Sequence, residues 1–480
     1  MGKHTKRRMS YLPKVAAGAA PFALLLAGPA TGWAATGPDL PIDHHNEHSF
    51  QHGFDKDIKP IQTPDAVGYT AFVKGFVDAM NKDTYTGDLG GAKVAAEQAQ
   101  AAKGTADTAD TTTAGLSGVD STAYAKGLLA GSESQKYAVG HGPYGIAHTS
   151  DEAGRVAADG NRDLHVTPTG RVSGSEVGTT DLAGSRANTE GARFGDGAAL
   201  TSNQQSAGVT DDRGEAFEFD PVAGTLDTAT QEAHQVVADN SMSHAVNKGG
   251  NSVSSDNSES IGTDLDRYAG FSGSKDGHAH GVVKEGANAK AARSSTQGVT
   301  FGDLAGGTVA SDQGARGSFS GVLDAERNQD GSATVVAGGN GSGELKQAHA
   351  VGGNLGPLSA AAASAQEGSV DSANHSATTV SPAGKVDSAE KSLTTGKFSD
   401  ETSGSLGIDK VVSVSGSAKT TVDTAVGATQ STKDSKPGAP EVTRDASVKH
   451  DNDLQVGLLG QKPVGGGVSV DGLKVTPHVD

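Results

Sequence analysis

The 480-residue chain carries 57 acidic against 39 basic residues, a formal charge of −18, and no cysteine. That balance excludes binding built on phosphate neutralisation, and the missing thiols exclude disulfide scaffolds and cysteine nucleophiles. With 34% apolar residues, 4% aromatics and 68 glycines, a thick conventional core is also excluded, and close packing by Gly, Ala, Ser and Thr is expected instead.

Residues 1–34 read as a secretory signal peptide. Lys3, Lys6, Arg7, Arg8 and Lys14 form its basic part, and an apolar stretch from Val15 to Ala30 is broken by Pro21 and Pro29. Gly32 and Ala34 are the small residues before a cleavage point. The Arg7-Arg8 pair is offset from the twin-arginine pattern, which favours the general secretory route. Loss of five positive charges takes the formal charge from −18 to −23. No later apolar run reaches membrane-spanning length, so no membrane insertion is expected once the signal is removed. The expected location is extracellular, either secreted or held non-covalently at the cell surface.

Residues 35–62 form a polar, His-rich leader. His44, His48 and His52 recur every fourth position, with His45, Asp43, Glu47 and Asp55 nearby. On a helix the three would share one face, where imidazoles hold zinc or copper. The competing reading is a solvated linker.

From residue 63 the chain repeats. Turn anchors fall at Ala66, Gly118, Gly170, Gly224, Gly277, Gly331, Gly384 and Gly438, with steps of 52, 52, 54, 53, 54, 53 and 54 residues. A fixed period near 53 marks one supersecondary unit copied in series. Thr70–Val77 matches Thr122–Leu129 at an offset of 52, and Arg186–Thr201 matches Arg293–Thr308 at 107, two periods. Residues 63–169 hold two divergent repeats and residues 170–480 hold six.

The first repeat carries conflicting signals. Thr63-Pro64-Asp65 resembles a helix N-terminus, and Tyr69, Phe72, Val73, Phe76, Val77 and Met80 follow helical spacing. Ala92–Lys103 is Ala- and Gln-rich. Local pattern predicts a helical N-terminal cap, whereas the repeat frame predicts strands.

The repeat from Gly331 to Ala383 states the plan. Ala333, Val335, Ala337, Gly339, Gly341, Gly343, Leu345, His349 and Val351 alternate with polar residues, which is the period of a strand. Gly353-Asn354-Leu355-Gly356-Pro357 supplies a turn halfway. Matching mid-repeat turns lie at Gly195-Asp196-Gly197, Lys248-Gly249-Gly250-Asn251, Gly302-Asp303-Leu304 and Leu406-Gly407-Ile408-Asp409. The fold class is therefore all-β, with tandem repeats of two long strand segments each. The two turn families differ in sequence, which favours an antiparallel meander over a β-solenoid. A closed sixteen-strand barrel would need aromatic girdles that seven Tyr, one Trp and twelve Phe do not supply. Segments of about 20 residues are long for strands and predict bulges at interior glycines.

Other motifs are sparse. Gly338–Leu345 approaches a calcium-binding β-roll nonapeptide but has Gly343 where Asp belongs, and it is not in tandem. Phe194–Asp196 and Phe301–Asp303 read as turns, and His278 and His280 as surface residues flanking one. No nucleophile elbow or phosphate loop is present, so no enzyme is expected. The function that remains is a non-catalytic structural protein of the cell surface or extracellular matrix, self-associating through strand edges into fibres. The second reading is an adhesin binding a surface glycan or protein. N-terminal sequencing of the exported form should begin Ala35-Thr36-Gly37.

Overall fold

The computed structural model describes residues 42–408, 411–458 and 464–475. The signal peptide expected at residues 1–34 lies outside the described residues. No helix occurs among the described residues.

The strands are β1 (Ile42–Gln62), β2 (Ala66–Leu89), β3 (Ala92–Gly115), β4 (Gly118–His141), β5 (Tyr144–Val166) and β6 (Val172–Phe194). Next come β7 (Gly197–Asp220), β8 (Thr225–Lys248), β9 (Asn251–Ser274), β10 (Ala279–Phe301), β11 (Ala305–Arg327) and β12 (Ala333–Leu355). The last are β13 (Leu358–Val380), β14 (Val386–Ile408), β15 (Val412–Lys433), β16 (Lys436–Pro437), β17 (Glu441–Leu458) and β18 (Val464–Val475). All belong to one antiparallel sheet. Strands consecutive in sequence pair, from β1 with β2 onward, so the sheet is a meander and not a solenoid. Short β16 pairs with the end of β15, whose ladder then passes to β17. The sheet is open: β1 is paired to β2 and β18 to β17.

The chain divides into two compact units. The first comprises residues 1–188 and 208–228, and holds β1 to β5 with parts of β6, β7 and β8. The second comprises residues 189–207 and 229–480, and holds the remainder of those three strands with β9 to β18.

The turns explain the period. Four anchors close the same five-residue loop. Thr167, Ser274, Asn328 and Ser381 each donate their N–H to the carbonyl four residues on, at 2.9 Å. Each also accepts from the N–H of the anchor glycine three residues on, at 2.9, 3.1, 3.0 and 2.9 Å. The closing glycines Gly170, Gly277, Gly331 and Gly384 have φ of 84°, 86°, 85° and 77°, a region that glycine enters without a Cβ penalty. Mid-repeat turns are tighter, as between Leu355 and Leu358 around Gly356-Pro357. The two turn families alternate, as an antiparallel meander requires. The last anchor differs. The reversal after β15 is made by Asp434 and Ser435, at φ 48° and 62°, and Gly438 falls beyond it.

Two expectations need correction. The helical cap does not form. Ala66–Leu89 and Ala92–Gly115 are strands in register with each other, and Tyr69 pairs with Thr112 and Phe76 with Thr105. Thr63, the expected N-cap, instead closes a hairpin: its N–H donates to the Ala66 carbonyl at 2.9 Å. Aromatic and β-branched residues suit either element locally, and backbone pairing on both sides selects the strand. Interior glycines do not break the strands either. Across β1–β5 and β9–β18 the register shifts once, between Ala446 and Val448. Most strands keep 23 or 24 residues, a span of about 76 Å at roughly 3.3 Å per residue.

Burial is thin. Among the described residues, Ala79 and Ala102 are the buried apolar side chains, opposite each other on β2 and β3. Large apolar residues such as Phe54 and Ile58 are about 70% exposed. The alternation expected on β12 is present, but it does not separate a core face from a wet one.

Gly331→Ala should lower the melting temperature, because a Cβ at φ 85° costs about 1 kcal/mol or more. Gly343→Ala, in the interior of β12 with open space around its Cβ, should leave the melting temperature unchanged or raise it. Thermal melts followed by circular dichroism separate the two.

Candidate functional site

The three histidines of the expected metal centre lie on strand β1 and not on a helix. His44, His48 and His52 share one sheet face, but positions four apart along a strand are about 13 Å apart. Within one chain they do not converge, and no group of three or more metal-ligating side chains occurs among the described residues. His44 stacks on Tyr85 with ring centroids 4.3 Å apart, and its Nε2 lies 3.1 Å from Asp83 Oδ1. Asn46 Nδ2 donates to the same oxygen at 2.5 Å. Those two contacts, that of Asn46 first, hold the Asp83 carboxyl below its ordinary value. His48 faces Asn81, and His52 faces Val77 with the Phe50 ring 5.4 Å away.

The calcium-like segment Gly338–Leu345 runs through the middle of β12, paired on both sides, and makes no loop. Phe194–Asp196 and Phe301–Asp303 are turns, with Gly195 and Gly302 at φ 67° and 50°. His278 and His280 face carboxylates on β11, at 3.1 Å from Glu326 and 2.8 Å from Asp324.

Sequence reading missed the transverse rows. A hairpin of two strands plus its turns consumes one period, so residues one period apart stand on the same face, two strands over. In the first compact unit this builds a row of alternating charge: Asp55, Lys74, Asp107, Lys126 and Asp159, each directly opposite the next. Lys74 reaches Asp107 at 3.3 Å, and Lys126 reaches Asp159 at 2.8 Å. Higher on the sheet, Glu97 takes Lys82 at 3.1 Å and Lys136 at 3.3 Å. Those contacts, that of Lys82 first, hold its carboxyl below the ordinary 4.5. The Arg186–Glu152 contact at 3.1 Å has a repeat counterpart in Arg293–Glu259 at 3.3 Å, both residues displaced by 107.

In the second compact unit two rows run side by side. One is polar: Glu259, Arg293, Gln313, Gln347, Gln366 and Asp400, in direct register across β9 to β14. Its neighbour, two residues along each strand, is apolar: Ile261, Ala291, Ala315, Leu345, Gly368 and Phe398. Val422 and Val448 extend it onto β15 and β17. Leu345 is 67% exposed and Phe398 46%. A groove of about 1000 Å³ follows these rows, and Asn240, whose Oδ1 is buried without a hydrogen-bond partner, also lines it. Polar groups one strand apart recur at about 4.8 Å. The band therefore offers evenly spaced donors and acceptors beside an apolar strip. It suits a regular extended polymer or the matching band of another copy. The signal that would have found it is the register itself: Glu259, Gln313 and Gln366 are spaced by 54 and 53 residues.

No family model matches the sequence, and no curated protein matches it. Among solved structures, the chain overlaps the β domain of the Bordetella autotransporter BrkA at 15% identity, covering 58% of this chain and 97% of that one, with a TM-score of 0.14. It overlaps the copper transporter OprC at 9% identity, covering 87% and 82%, with a TM-score of 0.17. The siderophore receptor PirA from Pseudomonas aeruginosa overlaps at 11% identity, covering 90% and 81%, with a TM-score of 0.16. Superposition this poor carries no argument about fold, location or function.

A carboxyl depressed in the folded state adds stability that is complete above 4.5 and lost as pH falls through its folded value. Glu97→Gln should therefore lower the melting temperature at pH 7, leaving Lys82 and Lys136 without their shared partner. The gap to the parent should close as pH falls below 4.5 and through the depressed folded-state value. Melting temperature against pH checks both.

Proposed function

We propose that the protein is an exported, non-catalytic structural protein of the cell surface or extracellular matrix that assembles with copies of itself. The observation that carries this reading is the near-absence of a core: two alanines are its buried apolar residues among those described. A sheet stable on its own normally buries one face against a helix or a second sheet. Here a second copy supplies that layer. The face of six strands is about 29 Å wide and 76 Å long, roughly 2,200 Å², by standard strand spacing. A stable interface needs about 800 Å² per partner. The apolar row from Ile261 to Phe398 marks where sheets would meet, and small residues beside it permit close approach. Repeated stacking of this kind builds fibres.

A second reading rests on the polar row. Arg293, Gln313, Gln347 and Gln366 beside Leu345 and Phe398 suit a polysaccharide laid across the strands, with amides bonding hydroxyls and Phe398 meeting a sugar face. This is the adhesin.

Leu345→Lys with Phe398→Lys should abolish assemblies seen by negative stain and shift sedimentation to a single small species, in the presence of a chelator. If the parent chain stays monomeric at every concentration and instead retains glycans on an array, the structural reading fails and the adhesin reading stands.

A further inference from the structure

Strand β1 ends one side of the sheet. Its ladder runs to β2, and among the described residues nothing pairs with its other edge. Such a row of free N–H and C=O groups templates another strand unless it is blunted by Lys, Pro, brevity or a bulge. Between Ile42 and Phe54 the strand has no Lys, no Arg, no Pro and no bulge. On one face it presents exposed His44, His48 and His52. These belong to no site within the chain.

The sequence of this edge is complementary to itself. Two copies related by a two-fold axis normal to the sheet pair antiparallel, each residue opposite its mirror position about a centre. Centred on His48, the pairing sets His44 opposite His52 of the second copy and His48 opposite its own counterpart. It sets Ile42 opposite Phe54 and Asn46 opposite Phe50. Asp43 then meets Gly53 and Glu47 meets Ser49, so no two carboxylates face each other. Moving the centre one residue back places Glu47 on Glu47, and one residue forward places Asp43 on Asp55. Like charges directly opposite are destabilising, so both neighbouring registers are disfavoured.

We propose that β1 pairs with β1 of a second copy in this register, and that divalent zinc binds the opposed imidazoles of His44, His48 and His52 across the seam. Directly opposite Cα atoms lie about 4.5–5.5 Å apart, which lets two imidazoles reach one cation at about 2.0–2.1 Å each. The 13 Å spacing that prevents one chain from holding a metal makes three separate cross-strand pairs. Water completes each coordination shell. Asp83, 3.1 Å from His44 Nε2, is the orienting carboxylate that leaves Nδ1 for the cation. Nitrogen donors without a carboxylate cluster select zinc-class ions over calcium. The consequence is edge-to-edge joining gated by metal, distinct from face-to-face stacking. It rests on the self-association reading only in needing two copies to meet.

The test uses the exported full-length chain carrying Leu345→Lys and Phe398→Lys, so that face stacking is absent. Sedimentation velocity with zinc chloride should show a doubling of mass that a chelator reverses. The triple variant His44→Ala, His48→Ala, His52→Ala should need at least tenfold more zinc or stay monomeric. Cobalt(II) added to the chain with histidines intact should give the visible absorption of nitrogen ligation, a readout that does not depend on how the triple variant folds. No mass change with zinc overturns the proposal. A doubling that ignores both chelator and histidines also overturns it, while leaving self-association intact.

Discussion

The antiparallel backbone ladder is the interaction on which this structure depends. Most interior strands give their N–H and C=O groups to two neighbours over more than twenty residues, and almost nothing else is buried among the described residues. Each such bond contributes a net ~0.5–1.5 kcal/mol, which is little against the entropy of ordering a residue. The side chains must supply the rest through cross-strand pairs worth ~0.2–1 kcal/mol each. One residue of slip along such a ladder exchanges the faces of every side chain beyond it, and the single shift across β1–β5 and β9–β18, between Ala446 and Val448, falls in the pairing of β17 with β18. The identical five-residue loops at Gly170, Gly277, Gly331 and Gly384 set that register hairpin by hairpin.

Register turns a one-dimensional repeat into two-dimensional order. Asp55, Asp107 and Asp159 are 52 residues apart in sequence and stand two strands apart in space, with Lys74 and Lys126 between them. The acidic chain thereby neutralises part of its own repulsion in rows. The same rule makes the band of Gln313, Gln347 and Gln366 beside Ala315, Leu345 and Gly368. On such a surface, side chains far apart in sequence are brought together in periodic rows across the strands. A face and an edge are also different kinds of junction. Stacked faces would exchange apolar area, whereas joined edges would exchange backbone hydrogen bonds.

The sequence by itself determined the class, the period and the turns. Alternation from Ala333 to Val351 encodes a strand, and the spacing of anchor glycines encodes hairpins, because both are local consequences of chain geometry. Where local signals conflicted, they misled. Tyr69 to Met80 has helical spacing, yet it is strand β2, since β1 and β3 saturate its backbone from both sides. His44, His48 and His52 carried a helical metal pattern and lie instead along an edge. The meander and the thin packing were legible in the turn families and the composition; only the tertiary structure decided that the sheet is open, which residues of different strands form the charged and polar rows, and which strand has a free edge. The physical reason is that cross-strand neighbours are fixed by register between segments tens of residues apart, and register is a property of the paired backbone that no single segment contains.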